Sequence, residues 1–362
     1  MLFSPCLEKP NYYQHQQEVR AHRAIKRQAT AGGQMAKWTL RVILSLIGLI
    51  VVLLIAGFTY ETWSEARDAR LYVPPGQMIS VGDHNLHILC KGAGDGPVVV
   101  IEAGGGVGLV SYLGVQAKIA EFAHVCTYDR AGLGWSQPAR TPRTFEGMAS
   151  ELEALLNGAK ISTPCVLVGH SYGGLIVRVF ARDYASRVAG LVLVETGDEA
   201  IAFDPSAVAA FTRGRQRNEA ADIMHRFGIV RPVPALLGPF GDAPPEIKAA
   251  ILRPGIFKAI ARESEAYDRI PVSQRRPGGY GTLDDWPVAV VVRGHPDPSV
   301  SAEFEQAWQE TNRRLASLST NSVLIVAEKS GHNVQRDEPE VFVDAVRRVH
   351  DAVRDGTRLP PP

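Results

Sequence analysis

The sequence predicts an α/β protein whose sheet is mostly parallel and is preceded by one membrane-spanning helix. Three observations lead to this prediction. The segment Val42–Tyr60 is apolar and contains no charged residue. Continuous apolar runs such as Pro97–Glu102 and Val188–Glu195 have the pattern of strands covered on both faces. Helical patterns alternate with these runs, which is typical of a parallel α/β sheet.

Composition narrows the class of protein. The 362 residues are 45% hydrophobic and 21% charged, with a formal net charge of +1, which suits a globular protein. A near-neutral charge gives no reason to expect nucleic acid as a partner. The cysteines Cys6, Cys90, Cys126 and Cys165 form neither a Cys-x-x-Cys pair nor a zinc-finger spacing. The sequence therefore predicts no metal site.

The apolar segment is long enough to cross a bilayer. Val42–Tyr60 covers about 19 residues, which extend roughly 28 Å as a helix. Trp38 and Tyr60 flank it as interfacial aromatic residues do, so residues 38–60 are predicted to be a membrane anchor in contact with the lipid bilayer. A cleaved signal peptide is the alternative, but its apolar region would be shorter.

The flanks of the anchor predict its orientation. Arginine and lysine are in excess before the anchor, which places residues 1–37 in the cytoplasm as a basic tail and the rest of the chain outside. Residues 1–34 show no periodic apolar pattern and are expected to be disordered. Residues 61–77, which end in Pro-Pro-Gly and a glutamine, are expected to be a linker.

The segments that follow are predicted in order. Strand patterns cover Met78–Val81, Leu86–Cys90, Pro97–Glu102, His124–Tyr128, Val166–Val168, Val188–Glu195, Pro287–Val292 and Val323–Ala327. Helices are predicted at about 111–122, at about 144–158 and directly after Gly173. Strand–helix alternation lapses between residues 198 and 284, so this segment is predicted to be an insertion between the two parts of a core, 78–197 and 285–355. Residues 356–362 form a C-terminal tail.

The segment Gly169–Gly173 reads Gly-x-Ser-x-Gly between a strand pattern and a helix pattern. A sharp strand–turn–helix connection holds Ser171 in a strained conformation and leaves no room for side chains at the two glycines. The N-terminus of the following helix favours negative charge near the serine. The sequence therefore predicts Ser171 as a nucleophile.

The third predicted strand ends in a glycine loop, Ala103–Gly108. A dinucleotide site is one explanation, because Asp129 ends the next strand where a ribose-binding acid would lie. Leu109 occupies the last glycine position of that fingerprint, which argues against it. An oxyanion hole is the alternative, with the N–H groups of Gly105 and Tyr172 as donors to a developing alkoxide. We therefore expect oxyanion donors and no cofactor.

Four segments in this order resemble the α/β-hydrolase superfamily, and its single-span, membrane-anchored, esterase-like branch in particular. They are EAGGG, YDRAGLGWS, CVLVGHSYGGL and SGHNVQRDEPE. The resemblance covers about residues 78–197 and 285–352. It implies a parallel sheet with helices on both faces and a helical cap formed by residues 198–284. The sequence departs from the family pattern at Glu102 and Ala103, where many relatives carry His-Gly. This departure affects the choice of Gly105 as an oxyanion donor.

The resemblance also implies the partners of the nucleophile. His332 lies on a loop after the last predicted strand, from which it can take the proton of Ser171. The acid that orients the histidine lies between these two residues in the chain. Asp297, shortly after the preceding strand, is the first choice. Glu195, at the end of the strand before that, and then Asp198 are the alternatives.

Other polar residues of these motifs are expected to be structural. Asp129 and Arg130 are expected to pin the loop that follows their strand, and His170 to pack beside the serine. In this fold the strands that contain Cys90 and Cys126 are neighbours, and an exported domain meets oxidising conditions. A disulfide between these two residues is therefore one possibility.

The expected protein is a membrane-anchored serine hydrolase that cleaves a small carboxylic ester or related acyl substrate through an acyl-enzyme. Acyl transfer to an alcohol by the same residues is one alternative, and a ligand-binding or sensory protein on a hydrolase scaffold is another. Apolar residues between Ile229 and Phe240 could line an acyl pocket or fasten the cap to the core.

Overall fold

The computed structural model describes residues 12–200, 203–233, 243–298 and 300–360. The chain divides into two compact units, residues 1–60 and residues 61–362. Helix α1 begins at Tyr12 and ends at Leu71, so its last turns belong to the second unit.

The expected disorder of the N-terminal tail is wrong for residues 12–34, which are helical. Between Tyr12 and Gly32 the sequence contains no glycine or proline and is rich in glutamine, alanine and arginine. These residues have high helix propensity, so the helix extends well before the apolar segment. Residues 1–11 of the expected tail lie outside the described residues.

Among the described residues, Gln34–Leu71 is one helix whose length and composition would allow it to cross a membrane. Its apolar side chains remain exposed: Leu53 is 61% exposed and Ile55 is 62% exposed. A core helix would bury such a face against protein, whereas a lipid-facing helix leaves it uncovered.

The second unit contains an eight-stranded sheet in the order β1-β2-β4-β3-β5-β6-β7-β8. The strands are Gln77–Ser80 (β1), Asn85–Lys91 (β2), Val99–Glu102 (β3), Val125–Asp129 (β4), Cys165–His170 (β5), Val188–Val194 (β6), Val288–Arg293 (β7) and Ser322–Ala327 (β8). β2 pairs antiparallel with β1 and β4, and every other neighbouring pair is parallel. The predicted, mostly parallel sheet is confirmed.

Helices cover both faces of this sheet. They are Leu113–Ile119 (α2), Phe145–Gly158 (α3), Tyr172–Asp183 (α4), Ala302–Ala316 (α9), Val334–Asp337 (α10) and Pro339–Asp355 (α11). Leu152 of α3 and Phe180 of α4 belong to one buried apolar cluster. Ile119 of α2 and Phe342 of α11 belong to a second cluster. The α/β-hydrolase architecture expected from the motifs is therefore present.

The insertion between β6 and β7 is helical, as expected of a cap. Its helices are Pro205–Arg226 (α5), Pro245–Ile251 (α6), Ile256–Glu263 (α7) and Glu265–Asp268 (α8). The N-cap Asp204 accepts hydrogen bonds from the first turn of α5, which explains where that helix begins.

The expected linker begins later than the sequence indicated, because residues 61–71 are the last turns of α1. Glu61 is only 2% exposed, and its carboxylate lies 2.9 Å from the guanidinium of Arg231 in the cap segment. Asp68 binds the same guanidinium at 2.5 Å. A buried charge needs a partner, and this shared arginine supplies one for both carboxylates.

Cys90 of β2 lies directly opposite Cys126 of β4 in the antiparallel register, and the two form a disulfide. The possibility raised by the sequence is therefore confirmed. The bond joins the antiparallel edge of the sheet to its parallel part.

Candidate active site

A sharp turn between β5 and α4 carries Ser171, whose backbone has φ 52° and ψ −119°. This left-handed conformation is strained for a residue with a side chain. A Cβ atom on Gly169 would lie 2.6 Å from Cα of Gly174, and one on Gly173 would lie 2.5 Å from the carbonyl oxygen of Glu102. Both glycines are thus required, as predicted for a nucleophile elbow.

His332, on the loop between β8 and α10, lies between Ser171 and a carboxylate. Its Nε2 atom is 3.0 Å from Oγ of Ser171. Its Nδ1 atom is 3.1 Å from Oε2 of Glu195. The imidazole is 37% exposed, whereas the carboxylate of Glu195 is fully buried. The three side chains form a continuous serine–histidine–carboxylate chain of hydrogen bonds.

Glu195 directly follows β6 and is held by several donors. Its carboxylate accepts hydrogen bonds from the main-chain N–H and the guanidinium of Arg293, each at 2.7 Å, and from Nε1 of Trp308 at 3.3 Å. Burial alone would raise the pKa of Glu195, but the hydrogen bond from His332 and the charge of Arg293 together hold that pKa below its usual range. Glu195 is therefore ionised at neutral pH.

The structure corrects the choice of Asp297 as the partner of His332. Asp297 follows β7 and lines the same cavity, but the carboxylate at His332 Nδ1 belongs to Glu195. β6 is the immediate neighbour of β5, and in their register His170 pairs with Val194. Ser171 directly follows His170 and Glu195 directly follows Val194. The two residues therefore lie next to each other at the same edge of the sheet. β7 lies one strand further from the elbow than β6 does. Asp297 is the fourth residue after the end of β7, whereas Glu195 is the first residue after β6.

The glycine loop after β3 leaves one N–H group available. Gly104 donates its N–H to the hydroxyl of Tyr112 at 2.9 Å, and Gly106 donates to Oε2 of Glu263 at 2.7 Å. Between them, the N–H of Gly105 has no hydrogen-bond acceptor in the described part of the chain.

The two predicted oxyanion donors lie together. A Cβ atom on Gly105 would be 3.3 Å from Cβ of Tyr172. Tyr172 is the first residue of α4, and the N–H groups of a first helical turn have no acceptor within the helix. Gly105 and Tyr172 thus lie close to each other, and Tyr172 directly follows Ser171.

Arg130 holds the glycine loop in place through hydrogen bonds. Its buried guanidinium donates to the carbonyl oxygens of Ala103 at 2.5 Å and Gly104 at 2.6 Å. It also forms ion pairs with Glu102 at 2.7 Å and with Glu263 of cap helix α7 at 2.6 Å. The structural role predicted for Arg130 is confirmed. The role of Glu263 has no local sequence signal, because it lies 133 residues away in the chain.

His170 supports the loop that carries His332. Its Nε2 atom lies 2.8 Å from the carbonyl oxygen of His332, and its Nδ1 atom lies 2.8 Å from the hydroxyl of Tyr112. A neutral imidazole satisfies both contacts, by donating to the carbonyl and accepting from the hydroxyl. Burial, assisted by the nearby charge of His332, lowers the pKa of His170 to about 3. As predicted, this histidine packs beside the elbow.

This pKa predicts an acid-sensitive fold. The unfolded chain binds a proton at His170 near the ordinary pKa of 6.5, whereas the folded chain binds it only near 3. Stability is therefore lost as the pH falls through this window, and the loss from this residue between pH 7.5 and pH 5 should be about 2 kcal/mol. The variant His170→Asn should be less stable than the wild type at pH 7.5 but should lose less on acidification. Urea unfolding at the two pH values measures both changes, and an equal acid loss in the two proteins would contradict the assignment.

A cavity of about 200 Å³ opens over Ser171 and His332. Four aromatic side chains form much of its wall: Phe211 and Tyr267 from the cap, and Phe304 and Trp308 from the core. Cap and core thus both shape the space around the serine.

The described apolar residues near Ile229, which are Ile229, Val230 and Val233, do not line this cavity. Val230 is buried elsewhere, and Ile229 and Val233 are partly exposed. The remaining residues proposed as pocket walls, Leu236, Leu237 and Phe240, lie outside the described residues.

Two groups of potential metal ligands occur among the described residues, and neither includes Ser171 or His332. In one, Cys90 and Cys126 accompany His124, but the disulfide removes both thiolates. In the other, donor atoms of Glu61, Glu65 and His225 lie within 4.8 Å of one another. A guanidinium, that of Arg231, already supplies a positive charge to Glu61 there.

The sequence from residue 92 to residue 345 matches the model of the Alpha/beta hydrolase family, and the chain belongs to this family. An uncharacterized protein of Bacillus subtilis is 27% identical over 259 residues, which cover 71% of this chain and 84% of that protein. An AB hydrolase superfamily protein of Gibberella zeae is 27% identical over 284 residues, which cover 71% of this chain and 87% of that protein.

Solved structures share the fold at lower identity. An enol-lactonase from Burkholderia xenovorans is 19% identical with a TM-score of 0.56, and the match covers 75% of this chain and 98% of the enzyme. A thermophilic esterase from Thermogutta terrifontis is 23% identical with a TM-score of 0.57, and the match covers 77% and 98% of the two chains.

Proposed function

We propose that this protein is a serine hydrolase of carboxylic esters in which Ser171, His332 and Glu195 form the catalytic triad. The observation that carries the proposal is the chain of contacts at the elbow. Oγ of Ser171 lies 3.0 Å from one imidazole nitrogen of His332, and the other nitrogen lies 3.1 Å from Glu195. A nucleophile, a base and an orienting acid are arranged in this way in serine hydrolases.

In the proposed reaction, His332 takes the proton of Ser171 while Oγ attacks the carbonyl carbon of the ester. The carbonyl oxygen becomes negative and accepts hydrogen bonds from the N–H groups of Gly105 and Tyr172. His332 then gives the proton to the leaving alcohol, and an acyl-enzyme remains. Water, deprotonated by His332, attacks the acyl carbon, and His332 returns the proton to Oγ of Ser171 as the carboxylic acid is released. Glu195 keeps the imidazole in the required tautomer and stabilises its charged form.

The size of the cavity supports a small substrate. About 200 Å³ with aromatic walls accommodates a short acyl chain or a single aromatic ring. Solved structures with this fold include an esterase and an enol-lactonase, which supports an ester or a lactone as the class of substrate. Transfer of the acyl group to an alcohol needs the same groups and differs only in the acceptor.

We also propose that α1 anchors the enzyme in a membrane, with residues 61–362 on its outer side. The disulfide between Cys90 and Cys126 supports this side, because disulfides persist in oxidising compartments. Protease added to intact cells should degrade residues 61–362 and spare a tag placed before residue 12. Protection of the whole chain would contradict this orientation.

The test of the activity uses the full chain in a neutral detergent and a series of p-nitrophenyl esters from acetate to decanoate, with benzoate added. We expect kcat/KM to be highest for the short and aromatic acyl groups and to fall for long chains. A fluorophosphonate probe should label wild-type protein and leave Ser171→Ala unlabelled. Added alcohols reveal acyl transfer as transesterified product. Absence of both labelling and ester cleavage would refute the proposal.

Glu263 is predicted to position the oxyanion loop, although it does not contact the reacting atoms. The variant Glu263→Gln loses the charge that holds Arg130, and its amide nitrogen replaces one of the two oxygens that accept hydrogen bonds from Arg130 and Gly106. The N–H of Gly105 should then be misplaced in the transition state. We expect kcat to fall by about 10- to 100-fold, or about 1.4–2.7 kcal/mol, with KM little changed.

The matched control is Glu199→Gln. Glu199 is a buried carboxylate that also pairs with an arginine, Arg178, and also accepts a main-chain N–H, that of Tyr280 at 2.7 Å. The variant Glu199→Gln should lower the unfolding temperature as much as Glu263→Gln does, whereas its kcat should stay within about twofold of the wild-type value. Equal losses of kcat in the two variants would show that general destabilisation, and not the oxyanion loop, is responsible.

A further inference from the structure

A second cavity, of about 320 Å³, lies where the loop after β4 meets cap helix α7. Neither Ser171 nor His332 lines it. Four cationic side chains do so: Arg143, Arg253, Lys258 and Arg262. In the described part of the chain, no carboxylate belongs to its wall.

One of these four charges is neutralised by a neighbouring carboxylate. Both terminal nitrogens of Arg143 bind the carboxylate of Glu151, at 2.5 Å and 2.8 Å, so this charge is matched. Its Nε atom, on a side chain only 4% exposed, is nevertheless buried without an acceptor. Among the described residues, Arg262 donates only to carbonyl oxygens, those of Ala139 at 3.0 Å and Thr141 at 2.7 Å. Within these residues its positive charge therefore has no ion-pair partner.

Arg253 is the most unusual of the four. It is half-buried and has neither a hydrogen-bond acceptor nor an ion-pair partner among the described residues. Burial lowers the pKa of its guanidinium, and the carboxylates of Asp129 and Glu65 act on it only through space. Lys258, exposed on the first turn of α7, likewise has no partner in the described ranges. Three of the four positive charges thus line the cavity without an ion-pair partner in the described part of the chain.

We infer that this cavity binds a phosphate group, either free or as part of a phosphomonoester. A half-buried guanidinium without a partner is costly, and an oxyanion with several acceptor oxygens would remove this cost. Arginine recognises phosphate through two parallel hydrogen bonds, and lysine adds a point charge. The N-cap of α7, Gly255, also lines the cavity and provides no side-chain cap, so the helix N-terminus is open to an anion.

Helix α7 connects this cavity to the glycine loop. Lys258 and Arg262 of α7 line the cavity, while Ile260 and Glu263 of the same helix contact Gly106. A bound phosphate would hold α7 against the core and thereby steady the loop. This effect on turnover rests on the proposed function, whereas the binding itself does not.

The test titrates inorganic phosphate into the full chain in neutral detergent, against sodium chloride of equal ionic strength. We expect saturable binding by calorimetry and a rise in unfolding temperature that chloride does not produce. The variants Arg253→Gln and Lys258→Gln should each weaken affinity, and the double variant should do so by at least tenfold. Lys248→Gln changes the same charge on cap helix α6, outside the cavity, and should bind phosphate as the wild type does.

A second arm distinguishes free phosphate from a lipid headgroup. Nanodiscs of phosphatidylcholine with and without phosphatidic acid replace the detergent. A rise in unfolding temperature that needs phosphatidic acid and depends on Arg253 identifies a lipid source, whereas a response to inorganic phosphate identifies a soluble one. No response to either, or an equal response in Arg253→Gln, would overturn the inference. Ser171→Ala should keep the response, so a failure of the proposed hydrolysis would remain distinguishable.

Discussion

Replacing Ser171 by alanine should lower kcat for ester cleavage by about 10⁶-fold. The variant lacks the oxygen that attacks the carbonyl, and no neighbouring group replaces it. Alanine retains the Cβ atom, so the strained backbone at φ 52° costs the same in both proteins and the elbow should keep its shape. The N–H groups of Gly105 and Tyr172 also remain, so a small residual acceleration over water is expected.

Steady-state hydrolysis of a short-chain p-nitrophenyl ester measures this loss, and the unfolding temperature checks that the fold is unchanged. We expect the two proteins to unfold within a few degrees of each other. If Ser171→Ala kept more than about one hundredth of the wild-type kcat, another residue would have to be the nucleophile.

The second large effect concerns the acid of the triad. Glu195→Gln should lower kcat by about 10⁴-fold, because an amide cannot stabilise the charged imidazole and can impose the wrong tautomer on His332. Asp297→Asn makes the corresponding change to a residue that lines the same cavity. It should lower kcat by less than about tenfold, because Asp297 is not the carboxylate at His332 Nδ1.

The two variants should be compared from pH 5 to pH 9. The pKa of Glu195 is held below its usual range, so Glu195 is ionised throughout this interval and the difference between the variants should persist. A large loss of kcat in Asp297→Asn together with a near-normal kcat in Glu195→Gln would show that Asp297, the acid chosen from the sequence, orients His332.

The sequence by itself determined the strands, the elbow at Ser171 and the loop position of His332. These features are local: apolar runs specify buried strands, and two glycines around a serine specify a turn that accepts no side chains at those positions. The place of Arg130 directly after a strand also indicates a structural role. Apolar periodicity does not mark residues 12–34 and 61–71 as extensions of the helix on either side of the apolar segment, although the helix propensity of residues 12–31 favours the first of them.

Only the tertiary structure decided between Glu195 and Asp297, because that choice depends on which strand lies next to β5 and in which register. The disulfide was decided in the same way, by the pairing of Cys90 with Cys126 across β2 and β4. Glu263 meets Gly106 across 157 residues of sequence. Contacts of this kind arise from how the cap packs on the core, and no single stretch of sequence shows which buried charges, such as Glu263 and Arg130, will form a pair.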